Sequence, residues 1–272
     1  MNNNALKFFA DYIQKELGIV YVDANYFQLD HRLRQIATQL EIESVEALYE
    51  KGQAGITGQF RSLLLDIATN NETSFFRDPN IYKVFEDVVI PSLKKSFPDS
   101  REFSIWCAAS SSGQEPYSIA MQYDSVKEQD STLPPLSIFS SDVSDAILAR
   151  AEKGVYSQLE VQRGLPARNL IKYFDKRDGD QWEVKSSLRD KMKFSKINLL
   201  HDFGMIGPFD VVFCRNVLIY QPVENKKKIL QKISQKIKKD GFLILGAAES
   251  LFGLTDDFSN VQSASTIVYQ KK

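Results

Sequence analysis

The residues best able to do chemistry sit in one polar and aromatic stretch and at the ends of short apolar runs. The stretch is NNETSFFRDPN (70–80), which sets Thr73 and Arg77 around two phenylalanines, ahead of an Asp78-Pro79 break. A solvated linker would favour Gly, Ser, Pro and Lys over Phe-Phe. Two adjacent rings need something to bury against, and an arginine beside them suggests the wall of a ligand pocket. The run FSIWC is followed by AASSSGQEP, whose small residues let the backbone approach a ligand closely. That loop has one glycine and is not G-x-G-x-x-G, so a pyrophosphate cradle is poorly supported. Glu115 near the helix start at about Gln114 favours a cationic ligand over a phosphate. A dinucleotide brings two negative charges, whereas S-adenosylmethionine brings an ammonium and a sulfonium.

The second apolar run ends SSD at Asp142. An acid there can accept hydrogen bonds from ribose hydroxyls, as in dinucleotide folds, or it can cap the next helix. Both readings stand. INLL follows the third run, and CRNVLIY closes the fourth with Arg215 and Asn216 in apolar surroundings. A buried, uncompensated arginine is costly, so Arg215 needs an anionic partner. Glu249, in GAAES after the fifth run, is a candidate; an ordinary structural ion pair is the alternative role for Arg215.

The elements that would position these residues change texture along the chain. Residues 1–68 carry helix-period patterns only, at about 5–17, 25–40, 44–52 and 56–68. In FQLDHRLRQIATQL the apolar positions Phe27, Leu29, Leu33, Ile36 and Leu40 recur every three to four residues. That leaves His31, Arg32, Arg34 and Gln35 mostly on another face. A further helix is expected over about 79–95, with Pro79 suited to its first turn. After residue 100, strand-like runs (FSIWCAAS, PLSIFSSD, MKFSKINLL, FDVVFCRNVLIY, GFLILGAAE and a final STIVYQKK) alternate with helical patterns. Such alternation implies an α/β fold with a parallel sheet covered on both faces. One segment, about 157–190, breaks it with a turn signal and a hairpin, and reads as an insertion between the second and third core strands. The lysine-rich ENKKKILQKISQKIKK is expected to be an ordinary amphipathic cover helix, with Ile229, Leu230, Ile233 and Ile237 facing inward.

Composition narrows the function classes. With 272 residues, 43% hydrophobic and 25% charged, the chain can bury a sizeable core. A net charge of −1 supplies no global field for nucleic acid or an anionic membrane. The apolar runs are too short to span a bilayer, and the N-terminus lacks the apolar stretch of a secretory signal. The two cysteines lie in apolar strand-like runs and read as reduced, buried thiols of a cytoplasmic protein. The two histidines are far apart in sequence, which argues against a metal centre.

Taken in order, TNNETSFFRD, WCAASSSGQEPYSIAM, FSSDVS, INLL, FCRNVLIY and GFLILGAAESL resemble the chemoreceptor glutamate methyltransferase family, CheR, of bacterial chemotaxis. Each motif alone is weak; together and in register they are specific. The resemblance runs from about residue 5 to the end. It implies an N-terminal helical domain and linker (1–75) and a class I SAM-dependent methyltransferase domain with a Rossmann-like sheet (76–272). A small β-subdomain would be inserted at about 157–190. The implied reaction is methyl transfer from S-adenosylmethionine to a receptor glutamate, giving a γ-methyl ester and S-adenosylhomocysteine.

Residue by residue, Asn71, Thr73, Arg77, Glu115, Asp142, Asn198, Leu199, Arg215 and Asn216 resemble cofactor-contacting positions of the family. Arg77 and Tyr220 resemble the pair bordering the transferred methyl group and the substrate carboxylate. The implied partners are the cytoplasmic helices of methyl-accepting chemoreceptors, with no nucleic acid, no membrane insertion, no metal and a monomeric enzyme. Because receptor helices around methylation sites are acidic, a basic docking face is expected, and Arg32 and Arg34 are the candidates. Two departures stand out: GQEP loses the first acid of the usual Gly-Glu-Glu-Pro, and GAAE puts Ala247 where relatives often carry histidine. The second leaves open a SAM-binding module that transfers nothing, beside a methyltransferase with another substrate.

Overall fold

A computed structural model describes residues 3–263 and 266–272; Ser265, the expected start of the last strand, lies outside them. The N-terminal part is helical: α1 (Asn3–Leu17), α2 (Tyr26–Gln39), α3 (Val45–Ala54) and α4 (Gly58–Ala68). Each contributes one apolar stripe to a shared core. Leu6, Phe9, Ala10, Ile13 and Leu17 come from α1, Leu29, Leu33, Ile36 and Ala37 from α2, and Leu64 and Leu65 from α4. Phe27 departs from the expected stripe. It is 70% exposed, two residues ahead of Leu29, the first residue of the stripe to bury. Arg32 departs as well, because its guanidinium turns inward to donate to Tyr21 Oη (2.7 Å) and to the Ala68 carbonyl at the end of α4 (3.2 Å). Arg34 stays exposed and pairs with Asp30 one turn earlier, so the two arginines do not form one solvent face.

The rest of the chain builds an α/β sheet. A helix from Pro79 to Ser96 runs as α5 (Pro79–Val84), a π turn over Phe85–Val89 and α6 (Ile90–Ser96), with Pro79 in its first turn. Then follow β1 (Phe103–Ala108), α7 (Gln114–Gln129), β2 (Leu136–Asp142) and α8 (Asp145–Lys153). An insertion carries β3 (Val155–Ser157), α9 (Gln158–Gln162), α10 (Ala167–Tyr173), β4 (Phe174–Arg177), β5 (Gln181–Val184) and α11 (Ser186–Arg189). The chain closes with β6 (Met192–Lys196), β7 (Phe209–Cys214), α12 (Val223–Ser234), β8 (Ile237–Leu245), β9 (Phe258–Ser263) and β10 (Thr266–Lys271).

The main sheet has the order β6-β2-β1-β7-β8-β10-β9, and β3, β5 and β4 form a separate small sheet. The first five strands of the main sheet are parallel. Of the last two, β10 runs antiparallel between β8 and β9, and β9 points the same way as the parallel five. Period-2 alternation feeds both faces. Phe103, Ile105 and Cys107 of β1 join one core with Val211 and Phe213 of β7. Trp106 and Ala108 join the other with Val212 and Cys214. The cysteines are therefore free, buried and on opposite faces of the sheet.

Two elements differ from the sequence reading. The cover helix expected to 239 stops at Ser234, and Ile237 opens β8 opposite Phe209. The helical period carries across this boundary because Ile237, from the strand, buries in the same core as Ile229 and Ile233. Asp240 turns left-handed (φ 64°) and Gly241 passes so close to β7 that a Cβ would sit 2.6 Å from the Asp210 carbonyl. This irregularity hides the strand from pattern reading. The other is β9, whose surface-edge sequence FSNVQS gives almost no apolar signal.

Candidate active site

Strand order reverses between β1 and β7, and ligands on open α/β sheets bind outside the strand ends at such a point. A cavity lies there, with about 1020 Å³ of space including its open mouth. It brings together Asn71, Thr73, Arg77, Glu115, Asp142, Asn198, Leu199, Arg215, Asn216 and Tyr220, every expected cofactor or catalytic position. Arg32 and Arg34 lie outside it. The wall also includes residues that sequence reading missed: Asn70, Ser110, Ser111 and Gln221, and Leu17 and Ile19 from the end of the helical region. Nothing in the local pattern of Leu17 or Ile19 marks them, since their place depends on how α1 docks.

The stretch 70–78 is stitched down along its length. Phe75 is fully buried and meets Tyr156 and Phe174 of the small sheet edge-on, with centroids 5.0 and 5.6 Å apart. Phe76 turns the other way, against Tyr82. The two rings thus fix the segment between the insertion and α5. Ser111 Oγ donates to the Asn71 carbonyl (2.9 Å), and the Phe76 N–H donates to Ser118 Oγ (3.0 Å).

Arg215 ties the far end. It donates to Glu115 (2.7 Å), to Asp78 (2.8 Å) and to the carbonyl of Arg77 (2.8 Å), with its side chain 2% exposed. Burial opposes its charge, but Glu115 and Asp78 hold its pKa above the ordinary arginine value. Glu249 is not its partner. That carboxylate instead accepts N–H bonds from Gly246, Asn216, Val217 and Ile219, clamping the loops after β7 and β8 together. The physical reason is geometric: the loop after β8 returns Glu249 to its own strand end, while α7 and the 70–78 segment deliver two carboxylates to Arg215 from the opposite side.

Local backbone strain concentrates here. Ala109 and Ser111 in the loop after β1, Asn216 after β7, and Phe76 and Asp78 flanking Arg77 all have positive φ without being glycine. Each such residue costs about 1–3 kcal/mol and persists only where its surroundings enforce it, often at functional sites. Gly113 (φ 93°) starts α7 where a Cβ would lie 2.9 Å from Tyr156 Oη.

Asp142 accepts from the N–H groups of Ser111 (3.0 Å) and Ser144 (3.2 Å). The cap of α8 is Ser144, not Asp142, so the carboxylate serves the loop and the cavity. Burial raises its pKa against these N–H bonds. Asn198 is tied differently: its amide donates to the Glu16 carbonyl (2.6 Å) and accepts from Leu200 N–H (2.9 Å), locking α1 to the site. Gln221 repeats the contact at the Leu17 carbonyl (2.7 Å).

The cavity fits a polar cationic nucleoside. Ser110 Oγ and Arg215 Nε are buried on its wall without a protein partner, two donors left for a ligand. Three carboxylates, Glu72, Glu115 and Asp142, line it against two guanidiniums, Arg77 and Arg215, and Asp142 ends β2 where a ribose can be held. Among the described residues there is no group of side chains able to hold a metal ion.

A parallel sheet with one reversed strand, β10, next to its edge, and this cleft at its switch point, define a class I S-adenosylmethionine-dependent methyltransferase. Residues 71–267 match the family described as CheR methyltransferase, SAM binding domain. The chain is 38% identical to the chemotaxis protein methyltransferase Cher2 of Pseudomonas putida, over 97% of this chain and 96% of that one. It is 36% identical to chemotaxis protein methyltransferase 1 of Pseudomonas aeruginosa, over 99% and 98%. The chain belongs to the CheR methyltransferase family, and its cofactor is S-adenosylmethionine.

Proposed function

We propose that the protein methylates glutamate side chains on the cytoplasmic helices of chemoreceptors, as a protein-glutamate O-methyltransferase working as a cytoplasmic monomer. The observation that carries this reading is the state of Arg77. Its guanidinium stands exposed at the cavity mouth, donates to the Glu72 carbonyl (3.2 Å) and is in ion-pair contact with no carboxylate among the described residues, meeting the charges of Glu72 and Glu115 only at longer range. Tyr220 lies on the same wall. An arginine with no carboxylate in contact and a phenol on the same wall suit a carboxylate brought from outside. Relatives named as chemotaxis methyltransferases support the receptor as its source. No helix among the described residues is long and apolar enough to cross a membrane.

When bound, S-adenosylmethionine supplies a methyl group whose bond to sulfur breaks as the bond to a carboxylate oxygen forms, leaving S-adenosylhomocysteine. The chain's own residues need only hold the partners. A glutamate with a pKa near 4.3 is already ionised at neutral pH, so no general base is required. Arg77 would grip the carboxylate and Tyr220 would fix its approach. Positioning of this kind can supply roughly 7–11 kcal/mol. Asp142 would hold the ribose, Glu115 and Asn71 the cationic amino-acid end, and Leu199 the base beside Asn198. Residues 1–75 would act as a helical domain and linker, with 76–272 as the transferase domain and 157–190 as its β-subdomain. Arg34 is the docking contact we assign to the helical domain; Arg32 supports it from inside.

The departure at Ala247 does not favour a silent module, because Ala247 is exposed beside Glu249 and is not part of the cavity wall. The test is transfer itself. With methyl-labelled cofactor and receptor-bearing membranes from the host, mild base should release the label as methanol. Label that stays base-stable, or cofactor binding without transfer, would overturn the proposal.

A further inference from the structure

Among the wall residues of the cleft that none of the roles above uses is Asn70. Its amide makes two directed bonds. The Glu72 N–H donates to Asn70 Oδ1 (3.3 Å), and Asn70 Nδ2 donates to Tyr220 Oη (3.1 Å). These bonds fix which end of the amide faces which way. A backbone N–H can only donate, so the amide oxygen must face Glu72 and the NH2 group must face the phenol. The phenol oxygen therefore receives a hydrogen bond from Asn70, and its own hydrogen is left for another acceptor.

The backbone of Tyr220 is already fixed. It closes a short 3-10 turn, Leu218–Tyr220, in which Glu249 holds the Ile219 N–H. What remains free is rotation of the phenolic O–H, and Tyr220 itself is 41% exposed at the cavity mouth. A hydroxyl whose oxygen accepts one bond is polarised toward donating another.

We propose that Asn70 is a positioning residue: by donating to Tyr220 Oη it fixes the polarity of the phenol, so that the O–H points at the acceptor carboxylate. This rests on the carboxylate reading of the site given above. It assigns Asn70 a task through Tyr220 rather than any contact with the reacting atoms.

The test sets Asn70→Ala against Asn70→Asp. Aspartate keeps an acceptor for the Glu72 N–H, so it preserves the local turn. It offers Tyr220 a carboxylate oxygen instead of an N–H, which draws the phenolic hydrogen away from the substrate. The expected order of kcat is wild type, then Asn70→Ala lower by about two- to tenfold, the size of one hydrogen bond, then Asn70→Asp lower still. Affinity for S-adenosylhomocysteine and the KM for receptor membranes should stay within about twofold for Asn70→Ala, since the O–H bond is made to the reacting carboxylate in the transition state. On a Tyr220→Phe background, Asn70→Ala should add no further loss.

A purely structural role in the turn predicts the reverse, with Asn70→Asp close to wild type, Asn70→Ala impaired and its loss unchanged when Tyr220 is phenylalanine. Either that reversed order or full additivity overturns the proposal. Wild-type protein that releases no base-labile methanol overturns the carboxylate reading and this inference with it. Active wild type with the reversed order removes only the inference.

Discussion

Two arginines one wall apart separate the floor of the cleft from its rim. Arg215, in the floor, is buried and donates to Glu115, Asp78 and the Arg77 carbonyl. Arg77, at the rim, is exposed and donates to one carbonyl. The floor joins three elements that are distant in sequence, and its guanidinium is paired before any ligand arrives. The rim keeps a guanidinium and a phenol under-committed. On the function proposed above, a site that binds its cofactor firmly and a protein carboxylate in passing gains from this division, since rigidity below preorganises what stays available above.

The comparison breaks first if Arg215 proves dispensable. Arg215→Met should destabilise the fold by about 3–5 kcal/mol, because it leaves Glu115 and Asp78 facing each other without their cation. Denaturant unfolding reads this directly, and a stability near wild type would mean that the floor is not structural. Arg77→Ala should do the opposite. Turnover is expected to fall by about 10²–10³, the usual loss for one preorganised donor, while stability stays within about 0.5 kcal/mol. A variant with lowered stability and normal turnover would put Arg77 in the floor category.

The same contrast recurs in the helical region. Arg32→Ala removes the donor to the Ala68 carbonyl and should cost about 1–3 kcal/mol. Arg34→Ala breaks only an exposed pair one turn long and should leave the unfolding transition where it is, with its effect confined to the KM for receptor membranes. Equal thermal shifts in the two would erase the distinction.

The smallest expected effect is a pH slope. Burial raises the folded-state pKa of Asp142 above its ordinary 3.8. Stability from its protonated form is therefore present below the ordinary value and lost as pH rises through the raised one. Asp142→Asn should flatten that part of the slope in denaturation series run upward from the ordinary value of 3.8. An unchanged slope would assign the loss to other carboxyls.

Much of this molecule was legible locally. The apolar spacing of α1 and the apolar runs of β1 and β7 are written in short windows, because burial of one face imposes a helical period and burial of both faces of a parallel strand makes a continuous run. Phe75-Phe76 announced a buried anchor, and the anchor exists, although which rings it meets could not be read. Arg215 announced a need for anions. The partner suggested by nearness to a strand end, Glu249, was the wrong one, since strand ends are brought side by side by topology and not by sequence order. The end of α12 was hidden because Ile237 satisfies the helical period from a strand.

The sequence by itself determined the residue types available at each strand end, the elements carrying them and, through motifs in register, the family. Tertiary structure alone decided which carboxylates neutralise Arg215, that Arg32 turns inward while Arg34 does not, that Leu17 and Ile19 complete the cleft, and that Asn70 meets Tyr220. The physical reason is that local patterns report one residue's burial, whereas pairing depends on directions and distances set only when separate elements pack together.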